Sequence, residues 1–362
     1  MPPAGRPSRA GRSEIRVVFY RINLMSSAQR LMFVSSPTAP RVELESFASP
    51  SPGAGQVLVH NTHTQVSAGS ETNFLRFGPQ SYGLPDGQLR ANIGYMTVGR
   101  IVAVGADVRG FAVGDRVTTS AAHASHSLVD ITPTAAIDPV PEGASDEAAG
   151  FAALGDVALH SVRRAQLQID QSVAIFGLGI VGQLVLQLAR CSGAHPLIAI
   201  DLVDERLELA RKSGATHVIN PARESVVQRV QEITQGAGAE VVFHCAQAAS
   251  ILQSALECAA DRGTVVLTGS PPGTATIRLK EELLRKELKL TGTYESGMVH
   301  PHVYWRWTRQ RNRRAFLRLL ASGQLQLGHL LTHVVPATEA PAIYQMVLRG
   351  SEGWLGVVFK WD

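Results

Sequence analysis

The chain has 362 residues, 45% of them hydrophobic and 33 of them glycine, enough for two cores in an ordinary α/β protein. No stretch nears the roughly 18 uninterrupted apolar residues of a membrane span, and Cys191, Cys245 and Cys258 stand too far apart for a disulfide framework or a paired-thiolate zinc site, so a soluble protein of the reducing cytoplasm is expected. The formal charge of +4 arises in residues 1–24, where Arg6, Arg9, Arg12, Arg16 and Arg21 face only Glu14, and the balanced remainder argues against nucleic acid as a partner.

Residues 1–24 mix Pro, Gly, Ser and Arg without the apolar segment of a signal peptide, and they read as a disordered arm or an over-extended start before Met25. From Arg30-Leu31-Met32-Phe33-Val34 onward come short alternating runs at 56–60, 97–104 and 115–119, separated by glycine turns such as Gly105 and Gly114. They predict a β-rich unit over residues 25–149, a partly open barrel.

Near Gly150 the pattern changes to strand and helix in alternation. Helices are expected at 157–165, 183–190, 204–213, 224–234 and 250–260, and strands at 172–176, 196–200, 218–220, 240–244, 263–268 and 287–293. Such alternation predicts a doubly wound parallel sheet over residues 150–296. The tail, residues 297–362, carries an amphipathic helix at 314–321, a run at 329–335, a helix near 339–348 and a last strand at 357–360.

Within the alternating unit, Gly177-Leu178-Gly179-Ile180-Val181-Gly182 follows the apolar strand Ser172-Val173-Ala174-Ile175-Phe176 and opens a helix. A second strand, Pro196-Leu197-Ile198-Ala199-Ile200, ends in Asp201, nineteen residues beyond Gly182. A lone glycine motif is weak evidence, but strand, helix and acidic residue in register make a dinucleotide-binding fingerprint. Gly177 permits the tight turn, Gly179 lets the backbone approach a pyrophosphate, and Gly182 lets helix and strand pack closely. The helix N-terminus then offers free N–H groups to the phosphates.

A β-rich front followed by a central dinucleotide unit, with Gly55-Gln56-Val57-Leu58-Val59, the stretch 94–105, Val113-Gly114-Asp115-Arg116-Val117, the stretch 159–165 and the stretch 323–335, resembles the medium-chain dehydrogenase/reductase superfamily, which contains the zinc alcohol and polyol dehydrogenases. The resemblance covers about residues 28–362. It implies a Rossmann domain joined to a GroES-like barrel, with the tail returning to the first unit to complete the substrate domain. A homodimer across the last strand of the cofactor domain, through Leu288 to Gly292, is also implied.

Several positions depart from the zinc members. Their first ligand, a Cys, falls in Val66-Ser67-Ala68-Gly69-Ser70-Glu71; their Gly-His-Glu is Gly94-Tyr95-Met96; their later Cys or Glu is Ala153; and the four cysteines of a structural zinc have no counterpart. Zinc needs three or four N, S or O ligands in near-tetrahedral array, so no metal is expected. The cofactor side matches better. Asp201 is expected to hold the ribose hydroxyls of NAD and to repel the 2′-phosphate of NADP, and Arg206 matches a basic residue beside the same ribose. Val157 and Val181, with Ile180, match apolar positions around the nucleotide, and Thr268, Gly269 and Thr293 lie at strand ends facing it.

With no metal to polarise a carbonyl, Tyr95 is the candidate hydrogen-bond donor or general acid, a steric filler being its competing reading. Ser70 matches the family's proton-relay hydroxyl if Ala68 takes the Cys place; Ser67 takes the role in a shifted register. His123 and His126 lie near where the family's chain passes the substrate cleft, and His123 is the candidate proton shuttle against a plain loop role. Asp156 and His160 share one helix face. The aromatic and basic stretch 300–314, with Tyr304, Trp305 and Trp307, reads as an insertion at the substrate entrance whose arginines are solvated or contact anionic groups. The leading expectation is a zinc-independent, NAD-dependent oxidoreductase of a secondary alcohol and its ketone, on a sugar, cyclitol or secondary metabolite. Its rivals are a reductase of an activated carbon–carbon double bond and a non-catalytic NAD-binding protein.

Overall fold

A computed structural model describes residues 27–34, 40–78, 90–294, 305–350 and 352–362; the basic arm and Tyr304 fall outside them. The front of the chain forms β1 (Ala28–Val34), β2 (Arg41–Phe47), β3 (Gln56–Gln65), α1 (Ala68–Phe77), β4 (Arg90–Asn92), β5 (Thr97–Val104), β6 (Arg116–Thr119), β7 (His126–Asp130) and β8 (Ile137–Pro139). After the short α2 (Asp146–Ala149) and the long α3 (Ala152–Ala165) come β9 (Val173–Phe176), α4 (Ile180–Cys191), β10 (Leu197–Ile200), α5 (Asp204–Ser213), β11 (His217–Ile219), α6 (Val226–Ile233), β12 (Ala239–His244), α7 (Leu252–Cys258), β13 (Ala259–Leu267) and β14 (Lys289–Gly292). The tail supplies α8 (Arg309–Ala321), β15 (Leu331–Pro336), α9 (Ala340–Arg349) and β16 (Gly356–Lys360).

The middle strands form one six-stranded parallel sheet in the order β11-β10-β9-β12-β13-β14. Because side chains alternate along a strand, β9 feeds two cores. Val173 and Ile175 join the cluster beneath α3 and α4, while Ala174 and Phe176 join the cluster beneath α6 and α7. All four are essentially inaccessible, which is why the sequence shows an unbroken apolar run there. Val173, Ile175 and Phe176 each contribute roughly 1.5–3 kcal/mol by this burial. The order reverses between β9 and β12, and the crevice at that switch point is where an open α/β sheet binds its ligand.

The front strands make the second unit. At ten residues β3 is long enough to pair with β5 along one edge and with β7 and then β16 along the other. The sheet runs β15-β16-β3-β5-β6-β8, so the tail's last strands close onto the front of the chain, and β2-β1-β4 form a smaller antiparallel sheet. A buried carboxylate ties the tail helix to this unit: Asp138 at β8 accepts from Arg313 Nε at 2.6 Å and from Arg314 Nε at 2.9 Å.

Several boundaries differ from the sequence expectation, each for a local reason. α8 starts at Arg309 because the Thr308 side chain accepts from the Arg311 backbone N–H, a cap hidden by the polar run 309–314. α3 starts at Ala152, five residues early, since its first turn packs small buried residues with no apolar periodicity. β13 begins at Ala259 and shortens the helix before it. α1 has no counterpart among the expected elements, and its first turn becomes central below.

Candidate active site at the mouth of the parallel sheet

Four of the expected cofactor residues stand one position past the end of a parallel strand. Gly177 follows β9, Asp201 follows β10, Thr268 follows β13 and Thr293 follows β14. The topology therefore brings them to one edge of the sheet, where strand carboxyl ends line the crevice. The Thr293 hydroxyl donates to the Leu267 carbonyl at 3.0 Å, which holds the last two strand ends together. Gly269 is packed so tightly that a Cβ there would lie 2.6 Å from the Ala246 carbonyl oxygen.

The three glycines of the loop do three different things. Gly177 has φ +87°, and a Cβ on it would meet the Ala246 nitrogen at 2.7 Å. A Cβ on Gly182 would lie 1.9 Å from the Gly177 carbonyl oxygen, so only glycine lets α4 start against the end of β9. Among the described residues nothing lies within 4 Å of the corresponding position at Gly179, and no side chain caps the helix it opens. An open cradle lined by the N–H groups of a helix start is the shape and charge a pyrophosphate requires. Ile180 is buried and Val181 partly buried behind it.

Asp201 braces the loop. One carboxylate oxygen accepts from the Leu178 N–H at 2.6 Å and the other from the Val203 N–H at 2.9 Å. Arg206 lies close enough for the two charges to attract, while burial lowers the pKa of its guanidinium, and it stacks 5.9 Å over the Trp354 ring. Val157 sits partly buried on α3, where its carbonyl accepts from the Ser161 hydroxyl.

Across from the loop, the structure brings Tyr95, Ser70 and Ser67 together. The Tyr95 hydroxyl donates to Ser67 Oγ at 2.5 Å and lies 3.2 Å from Ser70 Oγ. Ser67 is the N-cap residue of α1, yet its hydroxyl makes no capping bond and accepts from the phenol instead. Glu71 supplies the missing end contact, accepting from the Ser67 backbone N–H at 2.7 Å. Next to Ser70, a Cβ on Gly69 would sit 3.0 Å from Gln247 Nε2, in the loop that follows β12. The hydroxyl cluster thus borders the loop at the switch point.

His123 does not join that cluster. Its backbone bonds to Leu31 and to Ile93, both at 2.9 Å, pin the segment and turn the ring inward, where it is fully buried. Nε2 lies 3.2 Å from Glu71 Oε2, the ring packs 5.5 Å from Phe359, and Gly94 leaves the space it occupies. Tyr344 donates to the same carboxylate oxygen, and that contact with burial holds its phenol well above the ordinary range. The place of His123 is therefore beneath α1, as a support of Glu71. His126 opens β7 instead, where its ring packs 4.7 Å from that of His60. Asp156 accepts from Asn312 Nδ2 at 2.9 Å, and His160 packs edge-on against Trp305, 5.6 Å between ring centres.

Sequence reasoning missed Glu71 as the hub, Tyr344 as its partner and Gln247 as the link between units. The available signal was Ser67 followed four residues later by an acid, which resembles a capping pair stretched by one position. Among the described residues no three His, Cys, Asp or Glu side chains gather as a metal-ligand set. The donors around Tyr95 are neutral hydroxyls, Ala153 offers only a methyl group, and the Glu71 carboxylate is engaged elsewhere. Zinc favours thiolate, imidazole and carboxylate, and these residues do not fit it.

Comparison with known proteins places this geometry. The family described as zinc-binding dehydrogenase matches residues 181–308. The chain is 29% identical to the D-guloside 3-dehydrogenase of Escherichia coli K12 over 253 residues, 70% of this chain and 72% of that protein. An alcohol dehydrogenase from E. coli CFT073, solved in complex with NADH, superposes with a TM-score of 0.78 at 19% identity, covering 93% of this chain and 100% of its own. A dehydrogenase of Sinorhizobium meliloti 1021, bound to NADP, gives a TM-score of 0.77 at 20% identity with the same coverage. Both solved structures share the two-unit fold, and no helix among the described residues is long and apolar enough to cross a membrane.

Proposed function

We propose that the chain is a medium-chain dehydrogenase/reductase that exchanges a hydride between NAD and a secondary alcohol or its ketone without zinc. The observation that carries the reading is the hydroxyl cluster of Tyr95, Ser70 and Ser67 beside the switch-point loop. The similarity to D-guloside 3-dehydrogenase supports a sugar-like or polyol substrate.

When bound, the dinucleotide supplies or accepts the hydride at its nicotinamide ring. The chain's own residues do the rest. The cradle at Gly179 and the start of α4 hold the pyrophosphate. Asp201 accepts from the ribose hydroxyls and repels a 2′-phosphate, which supports NAD over NADP. When the Ser67 hydroxyl turns to donate to the phenol oxygen, the single Tyr95 O–H is released to donate to the carbonyl oxygen of the ketone. Its proton passes to that oxygen as the alcohol forms, and the phenolate is reprotonated from water through the Ser70 hydroxyl, which takes a proton from water as it gives one up. In the oxidation direction the proton runs the other way, from the alcohol through the Tyr95 and Ser70 hydroxyls to water. Glu71 fixes the cluster through the Ser67 backbone, and His123 and Tyr344 fix Glu71. Strand β14 has one neighbour among the described residues, and the reading includes a homodimer formed across its other edge.

The test is NADH oxidation with a panel of ketoses, other polyol ketones and enones, on protein freed of metal by chelation. Turnover with a ketone that survives chelation is expected. Turnover confined to enones would replace this reading by double-bond reduction, and NADH binding with no turnover at all by the non-catalytic one.

A further inference from the structure

Four arginines at the far end of α3 are left over by the site just described. Three of them surround one indole: the guanidinium carbon of Arg163 lies 3.4 Å from the ring centre of Trp307, that of Arg311 4.1 Å and that of Arg306 4.8 Å. The fourth, Arg318, lines a groove between α3 and α8 together with Arg163, Leu159, Ala315 and Leu319, of about 600 Å³. Among the described residues no carboxylate pairs with any of the four. The acids nearby are already engaged, Asp156 by Arg309 and Asn312, and Asp138 by Arg313 and Arg314. The Nε–H of Arg163 is buried and has no hydrogen-bond acceptor among the described residues.

Like charges held this close repel unless an anion joins them. Burial and the charges of Arg311 and Arg306, with a lesser part from Arg318, lower the pKa of Arg163 to about 10 although the Asp156 carboxylate pulls the other way. A buried donor without an acceptor is destabilising, so such an arrangement points to a ligand. Guanidinium forks match the oxygens of phosphate, and a groove lined by Arg163 and Arg318, with the Arg311 charge beside Arg163, suits a dianion. The groove beside them is apolar, which suits the body of a small organic molecule. Extended nucleic acid fits less well, because the chain outside residues 1–24 has no net charge.

We propose that this groove binds a phosphate monoester with an apolar body, the phosphate held by Arg163, Arg311 and Arg318 and the body resting on Leu159, Ala315 and Leu319. The site is distinct from the cofactor crevice: Arg163 lies six residues beyond Val157 on α3, about 9 Å along the helix axis. It does not depend on which substrate the chain reduces.

The experiment is calorimetric titration of the full chain, saturated with NADH so that the pyrophosphate cradle is filled, with phenyl phosphate at constant ionic strength. Inorganic phosphate and benzyl alcohol, the two halves of the probe, are titrated in parallel. Saturable binding of phenyl phosphate is expected, with each half weaker by about tenfold or more. The double variant Arg311→Gln, Arg318→Gln changes two exposed side chains and leaves the core intact. It is expected to weaken phenyl phosphate by about tenfold or more with NADH affinity unchanged. Equal binding by wild type and variant, or no saturable binding by wild type, overturns the proposal. Tighter binding of a single-stranded DNA oligomer than of phenyl phosphate, lost in the same variant, overturns it in favour of a nucleic-acid surface.

Discussion

The carbonyl oxygen of Gly177 lies 1.9 Å from where a Cβ on Gly182 would stand. The two ends of the loop therefore touch through backbone alone, while Gly179 between them faces open space. The glycines should separate in their phenotypes. Gly182→Ala should lower thermal stability, because backbone must move to admit the methyl group. Gly179→Ala should fold normally and weaken NADH about tenfold or more by filling the cradle, in line with the loss of one or two charge-assisted bonds. Melting curves and NADH fluorescence titrations read the two effects apart.

Asp201 braces the Leu178 N–H and, in the proposed function, also holds the ribose. Replacing it with Asn keeps an acceptor but removes the charge that repels a 2′-phosphate. Asp201→Asn should weaken NADH and strengthen NADPH, shifting their ratio by about tenfold. An unchanged ratio in competitive titration would remove Asp201 from cofactor choice.

The His160 ring is buried beside Trp305 and close to Arg164 and Arg163, and burial first, then those charges, push its pKa down to about 4. The unfolded chain takes up a proton on this residue near pH 6.5, where the folded chain does not. Stability from this group is therefore full at pH 7 and is lost as pH falls from about 6.5 toward 4, about 2 kcal/mol of it by pH 5, less any relief from solvent at the ring edge. In urea melts at pH 7 and pH 5, His160→Gln should lose correspondingly less stability than wild type.

Asp138 is fully buried between Arg313 and Arg314, and burial raises its pKa against the pull of both arginines. Removing it strands the buried Arg313 charge. Asp138→Ala should cost about 3–5 kcal/mol in urea unfolding, whereas Arg314→Gln, at an exposed position, should cost under about 1 kcal/mol.

Legibility of the sequence followed the range of the interactions. The parallel sheet and the glycine loop were readable because β9, α4 and β10 each carry a local pattern, and Asp201 sits at a fixed distance from them. The cluster at Tyr95 was half readable. Ser70 and Tyr95 were each identifiable, but their 3.2 Å approach joins residues 25 apart in the chain. Glu71 was invisible as a hub because its partners, His123 and Tyr344, lie 52 and 273 residues away. His123 misled for the same reason: a short polar loop signals exposure, while bonds to Leu31 and Ile93 turned it inward.

In the proposed mechanism Tyr95 does the work a metal ion does in zinc members. The direct measurement is steady-state turnover of Tyr95→Phe on the best ketone found for the wild type, with NADH affinity measured alongside and chelator present throughout. A positioned general acid contributes about 10²–10⁴ in rate. The account predicts a fall in kcat of at least about 100-fold with NADH affinity unchanged, and a wild-type rate that is indifferent to chelation. Full turnover by Tyr95→Phe, or loss of wild-type activity on chelation with recovery on added zinc, would contradict it.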